Sequence, residues 1–157
     1  MTRLAVFLAT AGYSGYFPIA PGTVGSAVGL LVYGVLFWSH APVVPAVEVL
    51  LILCLFAVGV WAATTAERYF GGIDPGPIVL DEVVGMLITL AFIPVGLSGA
   101  LIGFVLFRIF DVIKPFPARR LEALHGGLGV MADDAMAAIY ANLSLRLVMA
   151  LFPQWVT

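Results

Sequence analysis

Charge is scarce in this chain. Its 157 residues include seven Lys or Arg and nine Asp or Glu, against 62% hydrophobic residues and a mean hydropathy of +1.12. Soluble domains carry about a quarter charged residues. A chain with 10% therefore reads as an integral membrane protein rather than a very apolar soluble bundle. No basic run is denser than Arg119-Arg120, and the net charge is −2, which excludes nucleic-acid binding. The single cysteine, Cys54, has no partner for an internal disulfide. Lying inside the run Leu50–Val60, it reads as a small packed apolar residue and not as a reactive thiol. The two histidines, His40 and His125, lack partners at metal-ligand spacing and read as interfacial or solvated.

What remains is apolar runs separated by polar breaks. Four stretches approach the length of about 20 residues that a bilayer demands: Val24–Trp38, Val49–Ala66, Val83–Phe107 and Ala135–Phe152. The third holds Ile93-Pro94-Val95-Gly96-Leu97-Ser98-Gly99 at its middle, which reads as a turn between two short helices. With turns also near Ala41-Pro42, that hairpin puts Arg3, Arg68, Arg108, Lys114, Arg119 and Arg120 on one side of a membrane. By the positive-inside rule this side is the cytoplasm. Arg146 falls toward the other side, where it can snorkel to the interface. The N-terminal Met1–Ala11, with Arg3 ahead of a short apolar run, reads as a retained interfacial segment. The expected architecture is one all-α domain over residues 1–157, a multi-pass integral membrane protein with about four to five membrane-embedded helices.

The same topology gathers the polar loops Ser14–Gly22, Glu67–Leu80 and Asp111–Met131, rich in Gly and Pro, on the cytoplasmic side. The acids that border them stand out. Asp81-Glu82 opens the third apolar run and Asp133-Asp134 opens the fourth. Carboxylates at the mouth of a membrane segment are expensive. They either cap helix N-termini or converge as an oxygen cage for a hard cation such as Mg²⁺. Neighbours on a helix diverge by about 100°, which matters less at a helix start, where one carboxylate can bind metal while its neighbour caps the helix or positions water.

Arg108, Asp111 and Lys114 follow at i, i+3, i+6 before Pro115 and Pro117. The spacing serves a salt bridge at a helix end and equally an acid between two cations that hold a phosphate. In Ala20-Pro21-Gly22-Thr23-Val24-Gly25-Ser26, Thr23 can cap a helix whose free amides attract phosphate. No Lys follows these glycines, so this is no nucleotide P-loop. Gly25 and Gly29 make a small-xxx-small contact, which suits packing within the chain or a homo-oligomer. A small transporter or channel subunit is the rival reading, but it predicts acids near mid-bilayer and not at segment starts.

The segments Ala20–Ser26, Asp74–Gly85, Phe107–Pro117 and Gly126–Asp134 resemble, in order and spacing, those of the phosphatidylglycerophosphatase A family, from Gly15 to about Tyr140. One departure is Ile73, where the family often has a second Asp before the Asp74 position. The resemblance implies a bacterial inner-membrane enzyme with its site facing the cytoplasm. It implies Mg²⁺-dependent hydrolysis of phosphatidylglycerophosphate to phosphatidylglycerol and phosphate. The expected metal ligands are Asp81, Glu82, Asp133 and Asp134, with Asp81 and Asp134 also catalytic. Arg108 and Lys114 would clamp the phosphate, Thr23 and the amides after Gly22 would hold it from the other side, and Asp111 is the candidate general base or second metal ligand.

Overall fold

The computed structural model describes residues 1–37 and 44–156. His40 and the expected turn at Ala41-Pro42 lie outside the described residues. Every regular element among the described residues is helical: α1 Thr2–Ala9, a 3₁₀ turn Ser14–Tyr16, α2 Pro21–Phe37, α3 Pro45–Phe70, α4 Leu80–Leu90, α5 Leu97–Ile113, α6 Ala118–Leu121, α7 Gly127–Leu151 and a closing 3₁₀ turn Pro153–Trp155. Two of them, α3 with 26 residues and α7 with 25, are long and apolar enough to cross a membrane. At a rise of about 1.5 Å per residue each reaches about 38 Å. The shorter α2, α4 and α5 do not meet the same length, so the expected count of four to five embedded helices exceeds this pair.

The third apolar run breaks where its Pro and Gly residues predict, between Leu90 and Leu97. The break makes a hairpin. A Cβ placed on Gly85 would collide with the Phe107 ring, and one on Gly103 with Leu90, so residues ascending α4 meet residues descending α5. Small residues set the other registers in the same way. Gly25 and Gly29 bring α2 onto Val79, just ahead of α4, and onto Val83 and Met86 of α4, in parallel. Gly59 meets Met131 and Gly127 meets Val60 and Ala63, which makes α3 and α7 antiparallel. This answers the small-xxx-small spacing with an intrachain contact.

These registers fix directions. Helices α2, α4 and α7 start at one end of the bundle, and α3 and α5 finish there. The core between them holds Met86, Leu90, Phe107, Ala137, Ala138, Ala141 and Leu145, all fully buried. A second cluster joins Val6 and Ala9 of α1 to Ala62, Ala63 and Ala66 of α3. The N-terminal segment is thus an eight-residue helix docked on α3, tied further by the Val79 amide donating to the Ala9 carbonyl at 2.9 Å.

Two expectations change and a third is extended. Cys54 is exposed on the outside of α3 and not packed, because α3 buries its Gly59, Ala62, Ala63 and Ala66 side. Arg146 stays exposed at the far end of the bundle, as expected, but its guanidinium also bonds the backbone that ends α4. The expected loop Asp111–Met131 carries α6 and the first turn of α7. Gly127 and Gly129 there serve close approach and not a turn: a Cβ on either would strike the backbone of Val60 or Leu124.

Candidate active site

The shared helix end assembles the acids. Asp81 and Glu82 stand in the first turn of α4, and Asp133 and Asp134 nearly two turns into α7. A helix start at Gly127 removes the capping explanation for the α7 pair, since N-terminal effects fade within the first turn. Asp81, Glu82, Asp111, Asp133 and Asp134 are all less than a tenth exposed. Asp81, Glu82 and Asp134 each offer one carboxylate oxygen, and the three lie within 4.8 Å of one another. Asp81 Oδ1, Glu82 Oε2 and Asp134 Oδ2 are buried with no hydrogen-bond partner among the described residues.

Three like charges buried together, with oxygens left unpaired, repel each other and forfeit hydration. A hard divalent cation removes both costs, and carboxylate oxygen is the donor such ions select. The residues fit Mg²⁺ on that ground.

Cations line the rim. Arg108, at the descending end of α5, places Nη1 2.7 Å from Asp111 Oδ2 and 3.8 Å from Glu82 Oε1. It also donates to Ser26 Oγ at 3.3 Å, and Ser26 donates to the Gly22 carbonyl at 2.9 Å. This Ser-mediated link carries Arg108 to the start of α2. Gly22 leaves the space: a Cβ there would overlap Glu82 Oε1 and come within 3.1 Å of Arg108 Nη1.

Lys114 and Asp133 form a second group. Asp133 lies outside the trio that Asp134 joins: its Oδ2 accepts a hydrogen bond from Lys114 Nζ, while its Oδ1 is buried with no hydrogen-bond partner among the described residues. Glu122 stands 3.5 Å from the same ammonium. Burial works against the Lys114 charge, but Asp133, Glu122 and Asp134 outweigh it and hold the ammonium above its ordinary range. Asp74 completes this edge. Its residue surface is open, yet protein mass around the carboxyl and the negative field of Asp133 push it up to about 6, against the pull of Lys114. Its amide donates to Glu67 Oε1 at 3.0 Å, which holds the loop at a positive φ of 43°.

Thr23 is exposed in the first turn of α2. The helix starts at Pro21, so Thr23 is not its cap. The Thr23 and Val24 amides both donate to the Ala20 carbonyl, at 3.0 and 3.2 Å, and are engaged within the turn. His125 is exposed on the surface. Sequence reasoning passed over Ser26, Glu122 and Asn142. Ser26 sits in a quoted motif, four residues after Gly22 in an otherwise apolar helix, and that spacing is the signal that finds it.

The model of the family described as phosphatidylglycerophosphatase A matches residues 7–149. A Haemophilus influenzae protein named phosphatidylglycerophosphatase A is 43% identical over 133 residues, 82% of this chain and 78% of its own. An Escherichia coli protein of the same name is 36% identical over 129 residues, 80% of this chain and 72% of its own. A Bacteroides thetaiotaomicron protein, provisionally named a phosphatidylinositol-3-phosphatase, is 37% identical over 150 residues, 88% of this chain and 89% of its own. No solved structure gives a significant match. The quoted motifs that build the buried acid trio and its cationic rim all lie within the matched span, and the chain belongs to the phosphatidylglycerophosphatase A family, making it an enzyme, a phosphatase.

Proposed function

We propose that this protein is a multi-pass inner-membrane enzyme that hydrolyses the terminal phosphomonoester of phosphatidylglycerophosphate, with Mg²⁺, to give phosphatidylglycerol in phospholipid synthesis. The observation that carries the reading is the gathering of Asp81, Glu82 and Asp134 within 4.8 Å, each buried with one oxygen lacking a hydrogen-bond partner, beside Arg108. A phosphomonoester brings nearly two negative charges at neutral pH, which a site of carboxylates alone repels. Bound Mg²⁺ would neutralise part of that charge and make water a better nucleophile.

The chain supplies the rest. Asp81, Glu82 and Asp134 hold the ion, with Asp133 supporting from the next position on α7. Arg108 presents a guanidinium fixed by Asp111 and Ser26, and Lys114 presents an ammonium that its acidic neighbours keep charged. Both suit phosphate oxygens. The start of α4, which carries Asp81 and Glu82 in its first turn, adds a positive dipole end. Gly22 keeps the approach open, and the exposed Thr23 hydroxyl lines it. Asp111 is the proton acceptor for the attacking water.

The outer surface supports membrane placement. Leu31 and Val35 of α2, Leu50 and Leu53 of α3, Leu101 and Val105 of α5, and Leu143 and Leu147 of α7 are all exposed. Such a belt on several helices is unfavourable in water and suits lipid. The bundle end that carries the acids also carries the cations, which by the positive-inside rule faces the cytoplasm.

Phosphate release from phosphatidylglycerophosphate in detergent micelles, at millimolar Mg²⁺ and with EDTA, tests this reading. Release abolished by EDTA and restored by Mg²⁺ is expected. Release from phosphatidylinositol 3-phosphate alone would instead align the chain with its Bacteroides relative.

A further inference from the structure

The far end of α4 is tied down by polar side chains in an otherwise apolar region. Asn142 of α7 donates to three carbonyls there, Ile88 at 3.1 Å, Thr89 at 2.9 Å and Ala91 at 3.0 Å. Its own oxygen accepts from Arg146 Nε at 2.8 Å, and Arg146 Nη2 donates to the Ala91 carbonyl at 3.1 Å. From α3, the buried Glu48 accepts the Phe92 amide at 3.3 Å. Phe92 takes a left-handed φ of 59°, a conformation that a bulky residue keeps only when its surroundings impose it.

This cluster does more than satisfy a helix end. Helices α4 and α7 run parallel, and each carries ligands of the acid trio near its start. Between the trio and the cluster, α7 presents Ala137, Ala138 and Ala141, all fully buried. Such small side chains permit close approach but offer little shape to resist axial sliding. Buried polar groups are the better-attested way to fix register. A slip of one helical turn is about 5.4 Å, more than the 4.8 Å over which the trio's oxygens are gathered. Metal–ligand distances tolerate only about 0.2 Å. Asn142 lies eight residues beyond Asp134, about 12 Å along the same helix.

We propose that Asn142 and Arg146 are positioning residues that lock the register of α4 against α7, while Glu48 ties the same end to α3, and so hold Asp81 and Glu82 opposite Asp134 as one divalent-cation site. The inference rests on the cation reading of that trio.

Mn²⁺ binding to the full chain in detergent, followed by the loss of the free-ion EPR signal, tests it without substrate. Asn142→Ala is expected to weaken Mn²⁺ binding about 10-fold or more, the scale of losses when groups supporting metal ligands are removed. Arg146→Ala, a surface change with less risk to folding, is expected to weaken it several-fold. Leu145→Val, a core change on the same stretch of α7 that leaves the clamp intact, is expected to stay within about two-fold of wild type while lowering thermal stability. Unchanged Mn²⁺ affinity in the folded clamp variants overturns the proposal. So does an equal loss in Leu145→Val, which would mean general softening. Wild type that binds no Mn²⁺ overturns the cation reading itself, and this proposal with it.

Discussion

The two ends of the α4–α7 pair solve the same problem in opposite ways. Both bury polar groups in an apolar bundle. At the far end the Ile88, Thr89 and Ala91 carbonyls are met by Asn142 and Arg146 and the Phe92 amide by Glu48, which leaves the buried, uncharged Thr89 hydroxyl without a hydrogen-bond partner among the described residues. At the near end Asp81, Glu82 and Asp134 keep buried oxygens with no hydrogen-bond partner among the described residues. A satisfied polar cluster stabilises its own fold; an unsatisfied one is destabilising until a ligand arrives. The comparison locates structure at one end and chemistry at the other, on the same two helices.

The sharpest way to break that contrast is to neutralise one acid. Asp134→Asn removes a charge from the trio and is expected to lower phosphatase activity at least about 100-fold. In EDTA the same variant is expected to unfold at a higher temperature than wild type, because it relieves buried like-charge repulsion. A parallel loss of activity and of metal-free stability would make Asp134 a structural residue like those of the far end. Gly22→Ala comes next. The added methyl has no room between Glu82 and Arg108, so activity is expected to fall about 10-fold or more, with a cost of about 1–3 kcal/mol from overpacking. Thermal unfolding and phosphate release measure the two effects separately.

At the far end the signs differ. Asn142→Ala strands the Thr89 carbonyl and weakens the caps on Ile88 and Ala91. An unsatisfied buried acceptor costs about 1–3 kcal/mol, so the variant is expected to melt earlier with or without metal. Should it melt as wild type does, water or lipid is replacing the amide, and Asn142 does not hold the end of α4.

Sequence patterning carried much of this arrangement and missed parts of it for definite reasons. The Ile93–Gly99 break was legible because Pro and Gly punctuate an apolar run. The convergence of Asp81, Glu82 and Asp134 was legible because charges are too costly in such a chain to be incidental. The extent of α7 was not: Gly126-Gly127-Leu128-Gly129 reads as a loop, yet only Gly126 turns, while Gly127 and Gly129 are helical and packed tightly on α3 and the Glu122–Leu124 backbone. The far-end clamp was invisible because Asn142 and Arg146 act on carbonyls 51 to 55 residues away, and backbone acceptors leave no mark in a side-chain pattern. All four acids were expected as ligands; that Asp133 stands outside the trio, with Lys114 as its partner, depends on the α5–α7 register, which the sequence does not display.

Asp74 offers the finest test, because it sits on the border between the two kinds of polar group. Its carboxyl is raised from an ordinary 3.8 to about 6 by burial and by Asp133. A raised acid binds its proton more tightly in the folded state than in the unfolded one. Its contribution therefore falls as pH climbs from about 4 to about 6 and stays unfavourable above that. Asp74→Asn removes the charge, so in EDTA it is expected to match wild type near pH 4 and to be slightly more stable at pH 7. The gain is small because solvent reaches the residue and screens it. Thermal unfolding across pH 4–8 reads the difference. A variant less stable than wild type at pH 7 would mean that the Asp74 carboxylate is held by a favourable partner, and the unsatisfied end would then stop at the buried trio.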